Sequence, residues 1–319
     1  MQTVRPPATL RAGSAGTLPS VIGTIGDLVE DVVVRLSGAV NIATDTDAVV
    51  HRRRGGSAAN VAVNVVRAGG KARFIGQVGA DAQGLHLVKM LADEGVEPVV
   101  RRRGRSGTIV VLVDVAGERT MLSDRAACAL LDNPEPAWLN GLGALHVPVY
   151  SLVGEPLAGT SLTLLQWARG RGIMISIDAS SSAVLEAYGV ARMQALLSTL
   201  APDVLLCNDM EAATLGGEDG LAAIGAALTF IKQGAQDCVV MHPSSDGTLV
   251  STAVPANRLP HVRDTTGAGD AFAAGLLVAL SAGASAIDAT TRAHQVAADA
   301  IMRVSADVEP DTEAGIVAM

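Results

Sequence analysis

From Val21 onward the chain alternates short β-branched runs with longer alanine-rich segments whose apolar positions recur at helical spacing. "VIGTI" reads as a buried strand and "SAANVAVNVVRAG" as a helix ending at Gly69; "ARFIGQV" and "AQGLHLVKMLADEG", closed by Gly95, repeat the pair. The rhythm returns through "ALHVPV", "LAGTSLTLLQWARGRG", "IMISID", "VARMQALLSTL", "DVLLCN" and "GLAAIGAALTFIKQG", the last filling a helix's place. A strand "DCVVMH", a hairpin-like "GTLVSTAVPANRLPHV" and two helices from about Ala268 to Val304 complete the chain. Such alternation with short links predicts a mostly parallel sheet covered by helices on both faces.

Two segments break the pattern. "DVVVRLSG" with "TDAVVHRRR", and "GTIVVLVDVAGERTMLSD", read as strands with no helix between them, the second folding on "VAGE". They predict a small antiparallel sheet standing off the body, either a lid over a site at the strand ends or a layer for dimer contact.

Composition narrows the function. The 319 residues carry a net charge of −8, which argues against a nucleic acid or an anionic membrane as the main partner. Aromatics are only 2%, so aliphatic side chains must fill the core. The cluster Arg101, Arg102, Arg103 and Arg105 runs against the overall charge and reads as a solvated loop. Cys128, Cys207 and Cys238 are far apart and form no CxxC pair, HExxH is absent, and a reducing cytoplasm fits. Residues 1–19 lack an apolar signal-peptide core and read as a flexible tail; no stretch reads as a membrane span.

The most informative stretch is "DTTGAGDAF". Gly267, Ala268 and Gly269 lack bulk just where a helix starts, so backbone N–H groups can close around a phosphate at the positive end of the helix. Asp270 would then stand beside a transferred phosphoryl group, where a carboxylate can take the proton of an attacking hydroxyl. The bland alternative is a glycine-rich cap with an acid answering the helix dipole. Neither GxxxxGK[ST] nor GxGxxG occurs in the places those loops require. In "RRRGGSAAN", Gly55 and Gly56 let a ligand approach the backbone and Asn60 can bond a polyol, while Asp27 and Asp31, after the first strand, suit paired sugar hydroxyls. A plain turn with a capped helix, and a solvated loop acid, remain the alternatives there.

"GGSAAN", "NDMEAATLGG" and "DTTGAGDAFAAG", in that order and spacing, resemble the PfkB/ribokinase family of sugar and nucleoside kinases over about residues 21–305. The resemblance implies a ribokinase-like, Rossmann-type three-layer α/β/α body over residues 20–319, with a β-sheet lid from about 31–54 and 97–124. It implies ATP-dependent phosphorylation of a hydroxymethyl group, with Asp270 as base and Gly267, Ala268 and Gly269 as anion hole. Asp31, Gly55, Gly56 and Asn60 would hold substrate hydroxyls. Asn208 and Glu211 would order a Mg²⁺–phosphate shell through water. Asp264 and Thr266 match the start of a monovalent-cation loop, whose later part is not recognisable in "VSADVEP", so potassium stays open. Where the family has a glycine-rich turn near the nucleotide, the chain reads "MHPSSDG", leaving Ser244 and Gly247 as nucleotide neighbours. His294 falls where an asparagine is common. Arg125, in "ERTMLSDRAACALL", resembles the arginine of fructokinase and ketodeoxygluconate kinase-like members, though a surface pair at the lid edge is an equal reading. A nucleoside kinase, or a non-catalytic sensor dimerising through its lid, remain alternatives to a sugar kinase.

Overall fold

The computed structural model describes residues 21–259, 262 and 265–307. The N-terminal tail and Asp264 fall outside them. The chain enters through β1 (Val21–Ile25) and continues as β2 (Val29–Leu36), β3 (Ala48–Gly55) and α1 (Ser57–Arg67). Then follow β4 (Lys71–Val78), α2 (Ala82–Asp93), β5 (Glu97–Arg102), β6 (Thr108–Val113) and β7 (Arg119–Asp124). The middle holds β8 (Leu142–Pro148), α3 (Leu157–Gly170), β9 (Met174–Asp178), α4 (Ser182–Tyr188), α5 (Val190–Leu200) and β10 (Val204–Asn208). The last part comprises α6 (Asp209–Thr214), α7 (Gly217–Ile224), β11 (Leu228–Lys232), β12 (Cys238–Pro243), β13 (Leu249–Val254), α8 (Ala268–Ser281) and α9 (Ala286–Asp307).

Nine strands form one sheet in the order β13-β12-β11-β10-β9-β8-β1-β4-β5. The seven from β11 to β5 are parallel, and β12 and β13 close one edge antiparallel. One face is covered by α1, α2, α8 and α9 and the other by α3 to α7, giving two apolar layers built almost wholly of Val, Leu, Ile and Ala. Phe74 and Phe230 are the largest fully buried side chains, so aliphatic packing does carry the core. Small residues set one spacing closely: a Cβ on Gly275 of α8 would meet Val296 Cβ of α9 at 2.9 Å.

The structure changes three expectations. "GLAAIGAALTFIKQG" is not one helix, because Gly225 at φ 75° ends α7 and the remainder becomes β11. Residues 97–102 belong to the main sheet, as β5 beside β4, and not to the lid. The lid itself, β3-β2-β6-β7, is mixed and not antiparallel, since β2 and β6 run parallel. The reason is connectivity: β2 continues from β1 and β6 from β5, and both leave the same edge of the same parallel sheet. Two hairpins, β2–β3 and β6–β7, return the chain to the body.

The lid's exit requires Gly55 and Gly56. A Cβ on Gly55 would lie 2.0 Å from Asp31 Oδ1, and one on Gly56 would lie 2.2 Å from the Asp27 carbonyl oxygen. Gly56 also has φ 100°, a conformation side chains disfavour. We therefore expect Gly56→Ala to destabilise the fold by about 2 kcal/mol or more, read as a lower midpoint in chemical denaturation.

Candidate active site

The parallel strands end at one edge of the sheet, where open α/β folds place their ligands. Asp178 ends β9, Asn208 ends β10, Lys232 ends β11, and Asp27 follows β1. Helix α8 starts there too. Gly267 takes φ 77° at its N-cap, and a Cβ built on it would meet nothing within 4 Å. A Cβ on Gly269 would meet only Lys232 Nζ, at 3.6 Å. The N-terminus of α8 is thus an open, backbone-lined cradle with an ammonium on its wall; Ala268 N donates to Thr265 O at 3.1 Å, and the N–H groups after it lie in the turn where a helix supplies no partner of its own. That arrangement suits phosphate.

Asp270 occupies the first turn of α8. Ser57 Oγ donates to its Oδ1 at 2.7 Å and Asn60 Nδ2 to its Oδ2 at 3.0 Å. Asn60 in turn accepts from Arg54 at 2.9 Å through Oδ1. Burial raises the Asp270 pKa from 3.8 to about 6, against the two hydrogen bonds that pull it down. Burial also lowers the pKa of Arg54, the buried end of this chain of contacts.

Across the cleft, Asp31 comes from the inner face of the lid beside Gly55, with Arg53 Nε 3.7 Å away. Burial raises its pKa despite Arg53. Arg125 is committed to Asp27, donating from Nε at 2.7 Å and from its terminal nitrogen at 2.8 Å. This fork holds the base of the lid to the end of β1, and so Arg125 borders the cleft with its donors already directed at Asp27. From β7, Arg119 reaches over to donate to Thr266 Oγ1 just ahead of the cradle.

Asn208 and Glu211 are joined in a reciprocal capping box at the start of α6, with Glu211 N donating to Asn208 Oδ1 at 2.8 Å and Asn208 N to Glu211 Oε2 at 2.8 Å. Glu211 is 97% enclosed, since only 3% of it is exposed, and burial followed by the charge of Asp178 raises its pKa to about 7. Among the described residues no group of three or more His, Cys, Asp or Glu side chains could hold a metal ion by itself. Asn208 Nδ2 also donates to Glu211 Oε1 at 2.9 Å, so the oxygens of this pair hold one another, and the pair could hold Mg²⁺ through the ion's water shell, since that ion keeps much of its water and takes few direct protein ligands.

Sequence-expected residues do not all converge. Ser244 and Gly247 form the β12–β13 turn, where Ser244 N donates to Thr248 O at 2.7 Å. Because β12 runs antiparallel to β11, that turn lies at the opposite end of the sheet from Lys232. A helical reading of residues 220–234 hides β11, and the glycine-containing turn expected at the site then falls one strand too late. His294 packs edge-on to Phe272 with ring centroids 5.2 Å apart and places Nε2 3.3 Å from the Val254 carbonyl. Burial lowers its pKa, so it is a neutral helix histidine with its partner supplied. The arginine run is also paired, Arg101 with Asp132 and Glu135, Arg103 with Asp132, Arg105 with Asp124.

Sequence reasoning missed Ser57, Arg54, Asp178 and Lys232. Ser57 directly follows the glycine pair, and the acid ending "IMISID" was a strand-end signal; nothing in the sequence singled out Arg54 within its run.

A buried carboxylate at an open helix start, facing a polar lid, is an arrangement suited to a phosphotransferase that acts on a hydroxyl group. The chain matches the pfkB family of carbohydrate kinases over residues 22–312, and it belongs to that family. It is 34% identical over 243 residues to fructokinase of Klebsiella pneumoniae, covering 72% of this chain and 77% of that protein. To fructokinase of Salmonella typhimurium it is 32% identical over 250 residues, covering 74% and 80%. Its fold is similar to that of fructokinase from Vibrio cholerae O395 solved with fructose, ADP and calcium ion, with a TM-score of 0.72, 26% identity and coverage of 89% of this chain and 93% of that one. The chain is an ATP-dependent sugar kinase.

The raised Asp270 pKa has a stability consequence. A carboxyl that binds its proton more tightly when folded loses stability as pH rises from 3.8 through about 6, and the loss persists above. Asp270→Asn is expected to raise Tm above pH 6, with the gain fading as pH is lowered toward 4 in thermal melts.

Proposed function

We propose that this kinase phosphorylates the hydroxymethyl group of a ketohexose of the fructose type, with Asp270 as the catalytic base. The observation that carries the reading is Asp270 itself, a carboxylate held by Ser57 and Asn60 at the mouth of the α8 cradle. Asp31 and Asn60 orient the acceptor's hydroxyls from the lid and from α1. The acceptor hydroxyl gives its proton to Asp270 as its oxygen forms the new bond to the γ-phosphorus. The bond to the bridging oxygen breaks, and ADP leaves with that electron pair. The backbone of Gly267, Ala268 and Gly269 receives the charge spread over the phosphoryl oxygens. Mg²⁺, ordered beside Asn208 and Glu211, would neutralise charge on the nucleotide phosphates. The lid excludes water that would otherwise compete as acceptor. Fructose is favoured by the fructokinase relatives. A potassium ion near Thr266 is a further open element of the same corner.

ADP release measured over fructose, ribose, ketodeoxygluconate and adenosine should show fructose with the highest kcat/KM. Asp270→Asn should reduce kcat about 100- to 10,000-fold, and activity should decline as pH falls through about 6, as the base is protonated. Turnover with adenosine alone would move the assignment to a nucleoside kinase.

The lid's outer face carries Val32, Val34, Val50, Val110, Leu112 and Leu122 in adjoining register, with Val50 53% and Leu122 56% exposed. We assign this face to a homodimer formed lid against lid, because a contiguous exposed apolar patch marks a contact surface. The paired variant Val50→Lys/Leu122→Lys should shift the protein to monomer in analytical ultracentrifugation; an unchanged mass would reject that assignment. Among the described residues no helix is long and apolar enough to cross a membrane, and all three cysteines are free and buried, which accords with the cytoplasm.

A further inference from the structure

Lys232 is absent from the mechanism above, yet its position is unusual. It ends β11, and its side chain is only 16% exposed. Its ammonium donates to Asp178 Oδ2 at 2.7 Å, and among the described residues this carboxylate is its hydrogen-bond acceptor. Asp178 is equally enclosed, at 11% side-chain exposure, and its other oxygen accepts from Ser180 N at 2.8 Å. An ammonium has three N–H donors. One is used on Asp178, and Nζ lies on the wall of the cradle, 3.6 Å from the position a Cβ on Gly269 would take.

We propose that Lys232 is a phosphate-contacting residue of the transfer reaction, which, anchored by Asp178, directs its remaining donors onto the phosphoryl group held over Gly269. The proposal rests on the reading of the α8 N-terminus as the phosphate cradle. Three points support it. A phosphate held by the first-turn N–H groups of α8 would occupy the space beside Gly269, and the missing Cβ leaves the ammonium unscreened from that space. The Asp178 carboxylate fixes the lysine, so the cation needs no rearrangement when the anion arrives. Burial pulls the lysine's pKa down, but the charge of Asp178 and its hydrogen bond more than offset this, so Lys232 stays cationic through the working pH range.

The same cation acts on the base. The charged and titratable groups facing Asp270 are Asp178 from β9, Lys232 from β11, Arg54 from β3 and Tyr150 after β8. His146 of β8 lies fully buried below them, neutral because burial lowers its pKa to about 4. Asp178 favours the protonated form of Asp270, and Lys232 favours the carboxylate. Removing the ammonium alone therefore tilts Asp270 toward protonation.

The test compares the native chain, Lys232→Met, Lys232→Arg and the charge-neutral double variant Asp178→Asn/Lys232→Met, the last keeping the protein folded should a lone buried Asp178 destabilise it. Binding of the non-transferable analogue AMP-PNP and of AMP, both with Mg²⁺, is measured by calorimetry, together with the pH profile of kcat/KM for the best acceptor. Loss of a charge-assisted contact to the terminal phosphate should weaken AMP-PNP about tenfold or more, in the single Met and double variants alike, while AMP affinity stays within about twofold. In Lys232→Met the acid limb of kcat/KM should move to higher pH, and Lys232→Arg should recover part of both losses. Native-like AMP-PNP affinity in the Met and double variants, or equal weakening of AMP, would overturn the role of Lys232. A native chain that binds neither nucleotide would instead overturn the cradle itself, and the phosphate contact with it.

Discussion

Everything in this molecule's site depends on a junction between two helix starts from opposite ends of the chain. Ser57 and Asn60, in the first turns of α1, hold Asp270 in the first turn of α8 across sequence separations of 213 and 210 residues. Both helices begin at the carboxyl edge of one parallel sheet, so their positive ends meet there. The junction puts a carboxylate where two helix dipoles favour its charge while burial disfavours it. The opposed effects leave a carboxyl whose pKa lies at about 6. Moving either helix start by one residue would separate the carboxylate from its donors or from the helix start that carries it.

The legible part of this design was local. Glycines that bare a helix start, an acid at its first turn and a Gly-Gly pair before another helix are written in consecutive residues, and the structure brings them to one cleft. The strand–helix rhythm was equally readable, because aliphatic runs and alanine-rich helices differ in period. What escaped was information that exists only across strands. Lys232 was concealed because "LTFIK" follows α7 after a single glycine turn with no polar break, so a strand read as helix. Once β11 was lost, its turn was lost as well, and Ser244 and Gly247 inherited a role at the wrong end of the sheet. The direction of β6 relative to β2 was also invisible locally, since it follows from where the preceding body strands end. Arg54 sat in a run of three arginines whose members face alternate sides of β3, pairing with Glu30, Asp31 and Asn60 in turn.

The charge distribution has the same logic. A chain of net charge −8 handles an anionic donor by placing its cations individually. Arg125 is bound to Asp27 at the lid base and Arg119 to Thr266 above the cradle, while Lys232 leans on Asp178 beneath it. Each cation is fixed by a neighbouring oxygen, which holds it in place at the site without making the surface basic.

The parallel run of β2 and β6 carries a mechanical consequence. The lid is joined to the body in two places, at the β1–β2 and β3–α1 links on one side and at the β5–β6 link with the return after β7 on the other. Two separated anchorages define an axis, and a stiff hydrogen-bonded sheet fixed along an axis has one easy displacement, a swing about it. Twisting or sliding would have to stretch four chain crossings at once. A swing about that axis would carry Asp31 and Arg119, which share the inner face of the sheet, as one unit.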